Sequence, residues 1–244
     1  MLTDDYGFKK FDTKADHYVI GRPTYPLEAI DFLMDELGLS GDMRVADVGA
    51  GTGILTRTLQ GRFLEVVAIE PNDDMRSALG PVGFRGTAES TGLSDSNVNA
   101  IFAAQSFHWF NLEKSRAEFM RILKAPRAVA LLWNDREIVE DGAAELDIIM
   151  NSLRAGTSQT LEANEPSIIT FFGTGKINKK QFVNPSELSL ESLHALVLSR
   201  SYAPKADDPR YTDLLKKLDN LFVRHSRDGR FSVPYKTQVY WGYL

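Results

Sequence analysis

The sequence predicts an α/β fold in which a parallel sheet carries helices over both faces, and two observations predict it. Short apolar runs recur near 44–48, 64–69, 82–86, 98–103 and 127–133, with helical patterns between most of them. Such alternation of strand and helix builds a parallel sheet. The first run ends in a glycine-rich turn, Gly49-Ala50-Gly51-Thr52-Gly53, that leads straight into Ile54-Leu55-Thr56-Arg57-Thr58-Leu59. In sheets of this kind ligands bind beyond the carboxyl ends of the strands, where that turn lies. The chain has 244 residues, 43 % of them hydrophobic, which suits one full core, so 1–244 reads as a single domain.

Composition narrows the function. The net charge is −5 and no long basic run occurs, which argues against a nucleic-acid substrate, whose binding leans on clustered Lys and Arg. There is no cysteine, so disulfides, thiolate nucleophiles and zinc–thiolate sites are excluded. His17, His108, His194 and His225 lie far apart without metal-ligand spacing, and no metal is expected. The first ten residues lack an apolar signal core, and no apolar stretch approaches the length of a membrane span. These features predict a cytoplasmic protein with no membrane partner, a monomer or homodimer.

Residues 1–40 read as an N-terminal arm and a helix. Val45, Ala46 and Val48 then form a buried strand, with Asp47 near its end. The glycines that follow let backbone approach a ligand closely, and the helix start adds unpaired N–H donors. This is a floor for a nucleotide-type cofactor. The dinucleotide fingerprint is G-x-G-x-x-G, whereas here the glycines fall at 49, 51 and 53 and Ile54 stands where the third would be. An acid two residues before the first glycine also suits a ligand carrying an ammonium better than one carrying two phosphates. The segment Asp47–Gly53 resembles motif I of the class I S-adenosylmethionine-dependent methyltransferases.

That resemblance orders the next elements. The second strand, Leu64–Ile69, closes on Glu70-Pro71-Asn72-Asp73-Asp74-Met75. Glu70 can accept both ribose hydroxyls, a role open to either cofactor class. Pro71 follows it, and Met75 lies either near the adenine or in ordinary core. After the third strand, Gly86-Thr87-Ala88-Glu89 matches the adenine segment, which implies contacts at Ala88 and Glu89, although Thr87 stands where family members commonly carry an acid. The fourth strand runs into Gln105-Ser106-Phe107-His108-Trp109-Phe110. Gln105 is expected at the cofactor edge. Phe107 or Trp109 could hold a sulfonium over an aromatic face. His108 is either a general base or a structural histidine. Asn111 caps a helix that runs through Leu123 and stops before Ala125-Pro126.

Trp133 and Asn134 close the fifth strand and are expected on the substrate side. The leading segment Phe11–Pro26 is similar to that of the type-11 small-molecule methyltransferases, a set that includes trans-aconitate-methyltransferase-like proteins. The similarity implies that Arg22 pairs with the cofactor's methionyl carboxylate and that Tyr18 closes over it. Beyond Trp133 the alternation stops. Residues 135–175 read as mostly helical, 177–183 as a strand, 188–199 and 211–224 as helices, and 231–243 as a closing strand. The resemblance implies a Rossmann-like, doubly wound sheet of seven strands with an antiparallel last strand. It also implies a helical cap drawn from 135–175 and 186–230.

The implied activity is methyl transfer from S-adenosyl-L-methionine, leaving S-adenosyl-L-homocysteine, by in-line displacement at an O (or N/C) nucleophile. Base-modifying amino-methyltransferases carry Asn-Pro-Pro-Tyr or Asp-Pro-Pro-Tyr after the fourth strand; Ala104-Gln105-Ser106-Phe107 stands here, which moves the acceptor toward a small molecule. A non-catalytic S-adenosylmethionine binder and a nicotinamide-dependent oxidoreductase are the alternatives. An open cavity beside Phe107–Phe110 favours the enzyme; a cavity plugged by 135–175 favours the binder.

Overall fold

Side chains that alternate across the strands decide which helices cover the sheet. The computed structural model describes residues 20–139, 141–154, 165–173, 176–200 and 202–244; Tyr18 and most of the leading arm lie outside them. Strands β1 (Arg44–Val48), β2 (Glu65–Ile69), β3 (Gly83–Phe84), β4 (Val98–Ala104) and β5 (Leu123–Arg136) pair in parallel. Val45, Ala100, Phe102, Ala130 and Leu132 project to one face, under helices α1 (Leu27–Leu37) and α2 (Ile54–Gln60). Their neighbours Ala46, Ile101, Ala103, Val129 and Leu131 project to the other, as a period of two requires. There they meet Phe119 and Ile122 of α4 (Leu112–Ile122), which follows the short helix α3 (Asp73–Ser77).

The sheet has seven strands in the order β3-β2-β1-β4-β5-β9-β6, where β6 is Asn178–Val183 and β9 is Tyr235–Tyr243. β9 runs antiparallel to both β5 and β6, so the doubly wound, mostly parallel sheet with an antiparallel last strand is what the chain forms. Strand order reverses between β1 and β4, which makes the crevice beyond their carboxyl ends the switch point where such sheets bind ligands.

Three local expectations are corrected. β5 continues past Trp133 to Arg136 because β9 pairs with it through Arg136↔Tyr235, so Trp133 and Asn134 lie within the strand and do not close it. The run 231–243 is split by Pro234 into β8 (Phe231–Val233) and β9, since proline has no N–H to donate to a ladder. Helix α6 (Glu165–Phe172) was expected in the cap. It instead turns Ile168, Phe171 and Phe172 into the sheet's core.

The cap has its own core. Helices α5 (Asp141–Arg154), α7 (Leu190–Leu198) and α8 (Tyr211–His225), with the hairpin of β7 (Ser186–Leu188) and β8, bury Leu146, Leu193, Leu196, Leu218 and Phe231 together. Among the described residues no helix is long and apolar enough to cross a membrane.

Candidate active site

The three glycines of the turn do three different jobs. The Gly49 and Ala50 amides both donate to the Ile69 carbonyl, at 2.9 and 3.0 Å, which ties the turn to the end of β2. Gly49 has φ +71°, and a Cβ there would lie 2.5 Å from the Cβ of Ser106. Ser106 is fixed in that position by donating to the Val48 carbonyl at 2.9 Å. Gly51 has φ +57°, yet no atom lies within 4 Å of where its Cβ would project. That space leaves room for a ligand to lie against the backbone. Gly53, expected to bind cofactor, caps α2 in the left-handed region, and a Cβ would meet Leu79 at 2.6 Å. It shapes the turn and is not among the residues lining the two cavities described below.

Two buried carboxylates flank the cradle. Asp47 is 1 % exposed; its Oδ2 accepts from Thr56 Oγ1 at 2.7 Å, while its Oδ1 has no hydrogen-bond partner among the described residues. Burial pushes its pKa up to about 7, offset in part by Thr56 and aided by the charge of Glu70. A buried, unsatisfied carboxylate oxygen is costly, and a ligand's ammonium is the group that would satisfy it. Glu70 receives the Gly51 amide at 2.7 Å and the Asn72 amide at 2.9 Å. Burial still holds its pKa above the usual carboxylate range, against the pull of those two amides.

Two cavities meet at this point. The smaller, about 100 Å³, runs from Glu70 and Pro71 past Met75 to Ala88, Glu89 and Phe110. The larger, about 500 Å³, lies between the strand ends and the cap and includes Arg22, Ala50, His108, Trp133 and Asn134 in its walls. Gly49, Gly51, Gln105 and Trp109 border both. Gln105 holds this corner with φ +54°, and its Nε2 donates to the Asn134 carbonyl at 3.1 Å. Glu89 also organises the far end, accepting the Asn111 amide at 2.7 Å. An adenosyl amino acid fits this arrangement: an acid for its ammonium, an acid at its ribose, a mostly apolar slot for its base.

Around the larger cavity the expected residues divide. His108, on the 3-10 turn Phe107–Trp109, faces the cavity. Burial alone lowers its pKa to about 4, and its Nδ1 lacks a hydrogen-bond partner among the described residues. Phe107 does not line the cavity. It is 1 % exposed and sits in the core, edge-on to Phe110, Trp133 and Phe171, because its neighbours on the turn take the cavity side. Asn134 serves as a clasp: its Nδ2 donates to the Thr24 carbonyl at 3.1 Å, and its Oδ1 accepts from Thr237 Oγ1 at 2.6 Å. Arg22 lines the cavity and donates through Nε to Ser199 Oγ at 2.9 Å. Sequence reasoning missed Arg154, Arg200, Tyr202 and Tyr235, which close the cavity on the cap side. The one linear signal was an arginine placed two residues after the mostly apolar run Leu193–Leu198.

Residues 46–128 match the model of a methyltransferase domain. A Mycobacterium tuberculosis protein described as an uncharacterized methyltransferase is 32 % identical over 235 residues, which cover 93 % of this chain and 92 % of the relative. A methyltransferase-like protein of Schizosaccharomyces pombe is 27 % identical over 98 % of this chain and 97 % of its own length. In overall shape the chain is similar to a protein from Anaeromyxobacter dehalogenans assigned as a type II methyltransferase, with a TM-score of 0.67 at 18 % identity over 91 % of this chain and 96 % of that one. With a near-full-length relative at this identity and a methyltransferase domain match over 46–128, the chain belongs to the class I S-adenosylmethionine-dependent methyltransferases.

Proposed function

We propose that this methyltransferase acts on a small molecule held in the larger cavity. The observation that carries the proposal is the junction at Gly49, Gly51, Gln105 and Trp109, where a narrow slot opens into a chamber of about 500 Å³. That volume lies in the range of small-molecule sites. The side chains of the cap wall the chamber without filling it, which supports an enzyme over a silent binder.

Bound S-adenosylmethionine supplies a methyl carbon already activated by its sulfonium. The protein's task is to place a nucleophile in line with that carbon and keep water away. Asp47 Oδ1 would take the ammonium, Glu70 the ribose hydroxyls, and Met75, Pro71 and Ala88 the adenine ring. Arg22 would hold the methionyl carboxylate by a charge-assisted bond. Trp109, bordering both cavities, would present an aromatic face where the two ligands meet.

The nucleophile is an oxygen in this reading, with nitrogen or carbon as the other options. His108 is neutral at pH 7, since its pKa falls to about 4. A group that weakly basic is a poor proton sink, so its task is to orient the acceptor by a hydrogen bond.

Calorimetric titration with S-adenosylmethionine, S-adenosylhomocysteine and NADH tests the cofactor half. Micromolar affinity for the two adenosyl ligands and none for NADH is the expected result; tight binding of NADH would overturn it. A screen of small acceptors that follows formation of S-adenosylhomocysteine tests the rest. Turnover with methylated protein or nucleic acid, and with no small molecule, would sink the substrate class.

A further inference from the structure

Apart from Asp47, which belongs to the donor end beneath the glycine turn, the charged side chains bordering the larger cavity are engaged with protein groups. Arg136 pairs with Asp147 at 2.8 Å, and Asp147 also takes the Asn151 amide at 2.7 Å. Arg22 donates to Ser199. The guanidinium of Arg154 lies 5.2 Å from the centroid of the Tyr202 ring, and Arg200 is engaged as well. Asp135 accepts from Gln238 at 2.5 Å. An ionic acceptor entering this chamber would have to compete for contacts the protein already makes.

What the wall offers instead is aromatic surface. His108 and Trp109 on the turn after β4, Trp133 on β5 and Tyr240 on β9 all border the chamber. The first three share one corner, because β4 and β5 stay paired to Ala104↔Leu132 and Gln105 then donates to the Asn134 carbonyl. Trp133 is half-buried. Its ring stands perpendicular to Phe107 at 6.2 Å and to Tyr240 at 5.8 Å between centroids. Phe107 and Tyr240 are themselves 1 % and 8 % exposed, so the indole is fixed before any ligand arrives, which lowers the entropic cost of binding. The His108 ring tilts against Trp109 at 5.0 Å. Partly covered rings on a concave wall leave apolar area facing water, and a ligand that covers them recovers it.

We propose that the methyl acceptor is a flat aromatic compound that packs against Trp133 and Tyr240, with the atom to be methylated carried on its ring and turned toward Trp109. The inference rests on the small-molecule reading above and extends it to a substrate class. Aromatic rings gain from offset or edge-on contact with one another beyond the area they bury. A saturated ring of the same carbon frame is thicker and has no π face, so it gains less from the same wall. Trp133 is the residue that sets this specificity, and His108 holds the ring substituent by a hydrogen bond.

The probes are 2-naphthol and decahydro-2-naphthol, which share a carbon frame and one hydroxyl and differ in flatness and π surface. Calorimetry in the presence of saturating S-adenosylhomocysteine should show 2-naphthol binding at least tenfold more tightly. Trp133→Leu keeps apolar bulk but removes the ring, and should erase most of that preference, whereas Trp133→Phe should retain it. Affinity for S-adenosylhomocysteine should be unchanged in both variants, which also reports that they fold. The wild-type comparison stands by itself if Trp133→Leu does not. Equal affinity for the two probes overturns the proposal, as does a preference undiminished in Trp133→Leu or no binding of 2-naphthol at all. Turnover of saturated acceptors alone would sink this substrate class and spare the small-molecule reading. Failure of S-adenosylhomocysteine to bind, read in a separate titration without probe, would strike the donor assignment and this inference with it.

Discussion

Glu70 Oε2 accepts the Gly51 amide at 2.7 Å, although the two residues stand 19 apart in sequence. The acid expected to hold the ribose therefore also fixes the glycine turn on which the cofactor lies. Glu70→Ala removes both services and leaves a backbone N–H without its acceptor, at a cost of about 1–3 kcal/mol. Calorimetry should show at least a tenfold loss of affinity for S-adenosylhomocysteine, accompanied by a lower Tm. An unchanged Tm would mean that the turn holds its shape unaided.

Gly49 and Gly51 should separate stability from binding. Gly49→Ala drives a Cβ into Ser106 and should lower Tm by several degrees. At Gly51 no protein atom stands in the way, so Gly51→Val should cost only the strain of its positive φ, roughly 1–3 kcal/mol. It should nevertheless abolish cofactor binding. Melting curves read beside titrations decide the matter, and retained binding in Gly51→Val would remove the cradle from this site.

Asp47 gives a pH signature. Its folded pKa of about 7 lies above the ordinary aspartate value of 3.8, so between those pH values the folded state holds the proton more tightly than the unfolded one. The penalty of ionising it is absent below about pH 4 and grows as pH rises toward 7. Asp47→Asn removes that penalty: the variant should melt higher than wild type at pH 8 and show a flatter Tm profile from pH 4 to 7. It should also lose cofactor affinity. In wild type, S-adenosylhomocysteine binding near pH 6.5 should release protons, read from the heats in buffers of different ionisation enthalpy, and Asp47→Asn should not.

His108 titrates in the opposite sense. Its folded pKa of about 4 lies below the usual 6.5, so its contribution to stability is full above pH 6.5 and is lost as pH falls from there toward 4. His108→Gln should lessen the acid sensitivity of Tm in that window. Turnover should fall about tenfold or more in His108→Ala, with affinity for S-adenosylhomocysteine unchanged. The kcat profile of wild type should carry no inflection near pH 6.5; one that vanished in the variant would restore a proton-transfer role.

Asn134→Ala unfastens the clasp between β5, the Thr24 carbonyl and Thr237. It should lower stability by about 1–3 kcal/mol and weaken acceptor binding more than cofactor binding. Equal loss of both would place the two cavities on one mechanical unit.

What could be read in advance follows the length of the chain segments involved. That Asp47, Gly49, Gly51 and Glu70 gather at one turn was legible because strand, turn and helix are consecutive, and the next strand end is a single crossover away. Phe107 was misplaced because a 3-10 turn sends its three side chains in three directions, which linear spacing does not reveal. Tyr235 and Arg136 meet only through the β5–β9 register, and no local pattern encodes a partner a hundred residues off. Helix α6 misled for a similar reason: its apolar face fits a cap or a sheet equally well until its neighbour α4 is known.

Every residue lining the smaller cavity falls between Gly49 and Phe110, inside the stretch that matches the methyltransferase domain model. The larger one draws on the chain from Arg22 to Tyr240. On the proposed reading, the slot for the donor's adenosyl end is a self-contained cassette, whereas the acceptor's berth is an address assembled from the remainder. Grafting a foreign cap onto the same cassette would leave the donor chemistry in place and send the methyl group to another recipient.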